Sequence, residues 1–325
     1  MQSYPVLPSS AVDRATDQLI AVAAAVDAAA LREAEDLALR LTPDLWPLEW
    51  HLPFWLGCDF GLTEAAWQQL VLVNLLGAGY VRLTDDLADE MLDQPRQTVK
   101  AALGQCLLEA STTVLQALFA PSSAFWRSYQ TYLDQWRQAG EGEGGWRDEV
   151  GERVVEDWQL LAWRGAPAKI TATGACWLTR RAELIGPLET CIDHSMAAAV
   201  LLDHADDWRD DLAAGRFNAY VSWLSGLPQR SENIARNRQR VLSDLMQDDG
   251  AGHRAYFGLI DQHLLQAQTA AALVGSAGLS AYLAAIRQDA HALAEGQLAS
   301  ARKTFQDALA SLLADYPTQV GEHIS

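Results

Sequence analysis

The chain contains no run of strand length that alternates between apolar and polar residues, and no internal repeat. Sheet-based and repeat architectures therefore find no support. Cysteine is scarce: Cys58, Cys106, Cys176 and Cys191 stand alone, with no CxxC pair, and no HExxH or Cys/His spacing suggests zinc. Their mostly apolar neighbours lead us to expect buried free thiols, which suits a reducing compartment. Basic residues are also few, 24 against 42 acidic, for a formal net charge of -18. That balance repels phosphate backbones and anionic lipid, so nucleic acid is not an expected partner, although a small anion still could be. Long apolar runs are missing too. "LIAVAAAVDAAAL" is interrupted by Asp27 and falls short of the ~20 residues that cross a bilayer. "MQSYPVLPSS" lacks a charged region followed by an apolar one, so no signal peptide is evident. A cytoplasmic protein with no stable membrane span is the expectation.

What the sequence does have is helical periodicity. Apolar residues recur at three- and four-residue spacing in "TVKAALGQCLLEASTTVLQALF" and in the long segments beyond it. Ser9 and Ser10 can cap a helix running to about Leu41, and Thr63 one that runs into the 80s. Further helices are expected near 147–163, 167–184 and 187–214, with Pro228 and "DDGAG" at 248–252 as later breaks. "GEGEGG" at 140–145 reads as a loop, too short for a domain linker. The sum is an all-α fold: one helical bundle over residues 1–325, of roughly ten helices, with 1–9 and 316–325 as loose termini.

Two acidic clusters follow apolar helical approaches. In "GYVRLTDDLADEML", Asp85 and Asp89 are four residues apart on one helical face, with Asp86 and Glu90 beside them. In "DHADDWRDD", Asp203, Asp207 and Asp211 are spaced i, i+4, i+8, flanked by Asp206 and Asp210. Like charges at i, i+4 disfavour a helix by ~0.2–0.5 kcal/mol per pair, and burial raises that cost. A shared cation removes the conflict. Oxygen-only ligands favour a hard ion, with Mg²⁺ ahead of Mn²⁺, while the absence of a glycine-centred loop argues against an EF-hand. Any one acidic face in so acidic a chain is often only solvated surface; two of them, each closing an apolar helix, are harder to dismiss. His204, inside the second cluster, reads as a hydrogen-bonded or solvent-facing residue rather than a ligand.

"YVRLTDDLADE", Tyr80 to Glu90, resembles the first aspartate-rich motif of squalene and phytoene synthases. "DHADDWRDDLAAGRFNAY" resembles their second: Asp207, Asp211, Gly215, Arg216 and Tyr220 match in order, while Asp203 stands where those enzymes often have asparagine. "AKIT" at 168–171 is similar to the diphosphate-binding lysine motif of trans-prenyltransferases. All belong to the class I isoprenoid synthase superfamily. The resemblance implies a helical bundle around a central cavity, three Mg²⁺ ions and an allylic prenyl diphosphate substrate. It makes Asp85, Asp86, Asp89, Asp203, Asp207 and Asp211 metal ligands converging on one pocket. Arg82, Lys169, Arg216 and Tyr220 become diphosphate-binding residues, and a homodimer is expected by analogy.

Phe54, Trp55, Tyr80 and Trp177 lie near these motifs in sequence and are candidates to line the cavity, where ring faces would stabilise a carbocation and exclude water. The pattern also departs from the family. Paired arginines after the first motif are missing, with only Arg96 and Lys100 nearby, and the serine- and phenylalanine-containing motif of head-to-head enzymes is not evident. A one-substrate terpene synthase is therefore expected. Its precursor would be C15 or C20, the small residues of "SMAAAV" and "GLSAYLAA" tilting towards C20. A chain-elongating or head-to-head prenyltransferase is the alternative. A non-catalytic helical binding protein comes next, and a Ca²⁺-binding structural protein last.

Overall fold

The computed structural model describes residues 4–89, 92–146, 156–227, 229, 233–246 and 250–314; the side chains of Asp89, 142–146, 308–309 and 311–314 are not among what it describes. The expected features at Glu90, 147–155, Pro228 and 316–325 lie outside it. Every regular element described is helical, and no helix is long and apolar enough to cross a membrane.

Two compact units account for the described chain: residues 1–140, 162–196 and 265–285 form the first, and 141–161, 197–264 and 286–325 the second. Each unit is assembled from separated stretches, and the divisions at 196, 264 and 285 fall inside helices. No linker composition marks such a division, and the sequence accordingly showed none.

The first unit begins with α1 (Ser9–Ala24) and α2 (Ala28–Arg40), where one helix was expected. Asp27 separates them, its carboxylate accepting from the Ala29 and Ala30 N–H groups at 2.8 Å. Those donors would otherwise be orphaned at a helix start. Buried residues Ala11, Ala15, Leu19 and Ala23 repeat every four, as do Ala30 and Ala34 followed by Leu37, giving narrow apolar faces. α3 (Pro47–Phe60) is apolar on nearly every side, and α4 (Glu64–Asp89) packs along α5 (Gln94–Leu118) and against α3. Thr63 caps α4 through its hydroxyl, which accepts from Ala66 N–H at 3.3 Å.

α6 (Phe125–Trp146) continues as helix through the "GEGEGG" segment expected to be a loop. Glycine penalises a helix by ~1 kcal/mol per residue without forbidding it, and an established helix is cheap to extend. α7 (Trp158–Trp163), α8 (Ala168–Thr179), a 3₁₀ turn and α9 (Ile185–Asp206) follow. The second unit contains α10 (Trp208–Ala214), α11 (Ala219–Ser225) and α12 (Ile234–Met246), with parts of α13 (Ala251–Val274) and α14 (Ala277–Ala314). Trp208, Tyr220, Tyr256, Ile260 and Leu264 are buried in its core. Fourteen α-helices are thus described where about ten were expected, partly because single helices were expected across Asp27 and Asp207.

Residues 4–8 are packed rather than loose. Leu7 is buried, and the Pro5 carbonyl accepts from the Trp55 indole at 2.7 Å. Tyr4 meets His51, Trp55 and Tyr282 edge-on at 5.4–5.8 Å between ring centres. A Cβ on Gly278 would fall 2.4 Å from the Trp55 ring, so only glycine lets α14 approach this box. His51 is fully buried there, with neither ring nitrogen hydrogen-bonded among the described residues.

Burial pushes the His51 imidazole down to about 4, against a smaller opposing pull from Asp44. An unfolded chain takes a proton on this ring near 6.5, while the folded chain resists until about 4. Stability from the neutral ring is therefore complete above that range and lost as pH falls from 6.5 towards 4, by ~3 kcal/mol in all. Urea unfolding at pH 7 and pH 4.5 should show His51→Phe losing about 2–3 kcal/mol less than the parent across that interval. Equal losses would mean the ring does not drive the acid sensitivity.

Of the four cysteines, Cys176 and Cys191 are buried, Cys106 is half-buried and Cys58 is exposed, so the expectation of buried thiols holds for two; all four are free.

Candidate active site

Within the first unit, five helices surround a largely apolar cavity with roughly 640 Å³ of unfilled space, part of it open to solvent. α4 supplies Val73, Asn74, Gly77, Ala78, Tyr80 and Val81, and other walls come from Leu108, Leu133 and Ile170. Small residues make the room: a Cβ on Gly77 would meet nothing within 4 Å. The polar groups facing inward are few and include Glu49, Ser111, Tyr129 and Arg164.

Of the four aromatic residues expected to line a cavity, Tyr80 does so, its ring 5.4 Å from that of Trp136. The other three do not. Phe54 packs on Trp67, Trp55 sits in the Tyr4–His51–Tyr282 box, and Trp177 joins the apolar cluster around Phe119 and Phe125. Proximity to a motif in sequence selected them, but the helical turn faces each into packing. Nor do the small residues of "SMAAAV" and "GLSAYLAA" line it; Gly77, Ala78, Gly165 and Ala168 do.

The first acidic cluster continues the cavity's own wall. Asp85 lies four residues beyond Val81 and eleven beyond Asn74, so at ~100° per residue it falls on the same stripe of α4. It is half-buried. Asp89 closes the helix one turn further along.

Asp86 turns the other way and is buried, its oxygens engaged by cations. Arg40 donates to both, Nη1 to Oδ1 at 3.1 Å and Nη2 to Oδ2 at 2.9 Å. Lys100 Nζ, itself buried, donates to Oδ2 at 2.7 Å, and Arg82 Nε lies 3.3 Å from Oδ1. Burial alone would push the Asp86 carboxyl up, but the hydrogen bonds from Arg40 and Lys100 outweigh it and hold the group below its ordinary range. Asp86 thus anchors the end of α4 to α2 and α5. The cation at Lys100, the nearest departure from a paired-arginine motif, is part of that anchor.

Lys169 points into the protein rather than onto the cavity. It is buried, paired with Asp193, bonded to Gln135 Oε1 at 3.2 Å and set 5.7 Å from the centre of the Tyr132 ring. Burial raises the Asp193 carboxyl, opposed by the Lys169 charge. The neighbours of Lys169 on either side, Ala168 and Ile170, are the ones that face the cavity.

In the second unit, the acidic stripe spans a helix break rather than one helix. α9 ends at Asp206 and α10 begins at Trp208, with Asp207 between them. The hydrogen-bond ladder nonetheless carries through, from Asp207 N–H to Asp203 C=O at 2.9 Å and from Asp211 N–H to Asp207 C=O at 3.0 Å. Asp203, Asp206, Asp207 and Asp210 are exposed, and Asp211 is buried. Burial and then the neighbouring carboxylates of Asp211, Asp206 and Asp210 push the Asp207 carboxyl up, with Arg216 opposing.

Asp211 accepts from Arg216 Nε at 2.8 Å and from Asn218 Nδ2 at 2.9 Å. Gly215, at φ 67°, turns the chain so that Arg216 can reach back, and the rest of the Arg216 side chain is 59% exposed. Tyr220 is not available to an anion. It is fully buried, with its hydroxyl on His253 Nδ1 at 2.8 Å. His204 is buried and hydrogen-bonded, its Nδ1 accepting from Ala219 N–H at 3.2 Å.

Among the described residues no three acidic, histidine or cysteine side chains are gathered tightly enough to form a preassembled metal cage. The donor chemistry is nonetheless that of a hard cation: carboxylate oxygens without thiolate, crowded enough to raise Asp207. Sequence reasoning missed Glu49 and Arg164. The only signal for Glu49 was a single carboxylate within the apolar run "WPLEWHLPFW". Compared with protein-family models and with curated proteins, the chain matches none.

Proposed function

We propose that the chain is a Mg²⁺-dependent class I terpene synthase, which ionises an allylic prenyl diphosphate and releases a hydrocarbon or alcohol of unchanged carbon number. The observation that carries this reading is the α4 stripe, mostly apolar through the cavity from Val73 to Val81, with Asn74 its amide, and acidic one turn later at Asp85. A ligand with an apolar tail and an anionic head that binds through divalent cations has that polarity.

In this reading Asp85 and Asp89 on α4 supply Mg²⁺ ligands beside the cavity, while Asp86 holds α4 in place; Asp203, Asp207 and Asp211, at the α9–α10 break of the second unit, are the other carboxylates proposed to bind Mg²⁺. Bound Mg²⁺ would neutralise charge developing on the departing diphosphate. Arg164 lines the cavity, and Arg216, bonded to Asp211, has a side chain that is 59% exposed. Arg164 is suited to hold the anion at the cavity, and Arg216 is the corresponding cation of the second unit; Lys169 and Tyr220 are turned inward. The apolar walls keep water from a carbocation, and the Tyr80 ring offers it a negative face.

Arg40, Arg82 and Lys100 are all engaged on Asp86. This favours a one-substrate reaction over a prenyltransferase, which needs cations for a second diphosphate. Purified protein with Mg²⁺ and an allylic diphosphate, with and without isopentenyl diphosphate, separates the two. The expected product is the same in both arms. A longer diphosphate in the first arm, or condensation of two allylic molecules in either, would instead assign a transferase.

A further inference from the structure

Glu49 is a half-buried carboxyl group among mostly apolar walls. It stands in the first turn of α3 and faces a cavity whose walls are Val73, Val81, Leu108, Leu133 and Ile170. Its place is fixed. The Glu49 carbonyl accepts from Asn74 Nδ2 at 2.8 Å, and Asn74 Oδ1 accepts from the buried Thr171 hydroxyl at 2.8 Å. Among the described ion pairs none involves Glu49, although Arg164 lines the same cavity. Burial pushes the carboxyl up, against a smaller pull from its own backbone N–H. Apolar walls, and the absence of Glu49 from the described ion pairs, both favour the neutral acid.

A carboxylic acid held against a hydrocarbon can do one thing that the surrounding apolar residues cannot: move a proton. Resting on the reading above, we infer that Glu49 is the catalytic acid and base of the cavity, acting on the carbon skeleton after diphosphate has left. The first carbocation gives up a proton to the departed diphosphate, its C–H pair becoming a double bond, and the neutral olefin so formed takes the Glu49 proton. Its π electrons form the new C–H bond, the O–H pair stays on the carboxylate, and a carbocation forms at the adjacent carbon. The carboxylate then removes a proton from a carbon beside the cation, whose C–H pair becomes the product double bond. Glu49 ends protonated, and no oxidant or reductant is consumed.

Turnover in D₂O with Mg²⁺ and the accepted prenyl diphosphate tests this, because an acid that exchanges with solvent between cycles leaves deuterium in the product. Diphosphate release and product mass are read from the same tube. The parent protein is expected to place one solvent deuterium in most product molecules. Glu49→Gln should lower the deuterated fraction at least tenfold and shift the product skeleton, and Glu49→Asp should restore part of the label. Diphosphate release with an unlabelled product from the parent protein would overturn the role of Glu49 while leaving the terpene synthase reading intact. Label persisting in Glu49→Gln would do the same. No diphosphate release from any prenyl diphosphate would remove both.

Discussion

Replacing Asp86 with alanine should destabilise the fold by about 3–5 kcal/mol, the cost of removing one partner from a buried ion pair. The size follows from what remains. Lys100 is 1% exposed and would be left buried without its carboxylate, and Arg40 would lose both hydrogen bonds of a bidentate pair. Arg82, 42% exposed, can turn to water and adds little. Thermal unfolding followed by circular dichroism should show a midpoint lower by roughly 5–10 °C. Lys100→Met should cost less, because Arg40 still covers both Asp86 oxygens. The held-down Asp86 carboxyl also gives stability present above its unfolded value and lost as pH falls through its folded one, so the parent and Asp86→Ala should converge in strong acid. An unchanged midpoint for Asp86→Ala would mean that the carboxylate is not the anchor of α4.

Asp85→Ala should behave in the opposite manner. Asp85 is half-buried on the cavity stripe, so its loss leaves the Arg40–Asp86–Lys100 anchor in place, and the melting midpoint should move little. Activity should fall at least ~100-fold, about 2.7 kcal/mol in the barrier, since a ligand to the ion that stabilises the leaving group is gone. Asp207→Ala should match it in activity. Relief of carboxylate crowding should leave that variant no less stable than the parent, as burial and the Asp211, Asp206 and Asp210 charges all disfavour an ionised Asp207. Adjacent aspartates, 85 and 86, thus separate turnover from stability. Full activity in Asp85→Ala would count directly against metal ligation there.

Local pattern explains how much of this was legible in the sequence. The all-helical character was readable because apolar spacing of three and four is a property of each segment alone. The shared face of Asp85 and Asp89 was readable for the same reason. The division of labour between Asp85 and Asp86 was not, since it depends on Arg40, 46 residues away, and on Lys100. Lys169 looked like an anion binder from its tetrapeptide; its commitment to Asp193 depends on how α8 packs on α9. The break at Asp207 has no proline or glycine to announce it, and "GEGEGG" carried a loop signal that the helix overrode. Glu49 was visible as an isolated charge in an apolar run, but only the cavity explains why it matters.

Incubating the purified protein with C10, C15 and C20 allylic diphosphates and Mg²⁺, with released diphosphate and products read by mass spectrometry, tests the central claim most directly. The account predicts stoichiometric diphosphate and a terpene hydrocarbon or alcohol from at least one of the three, both abolished by a chelator and restored by added Mg²⁺. Intact substrates in all three reactions, from protein whose helical signal is full, would contradict it.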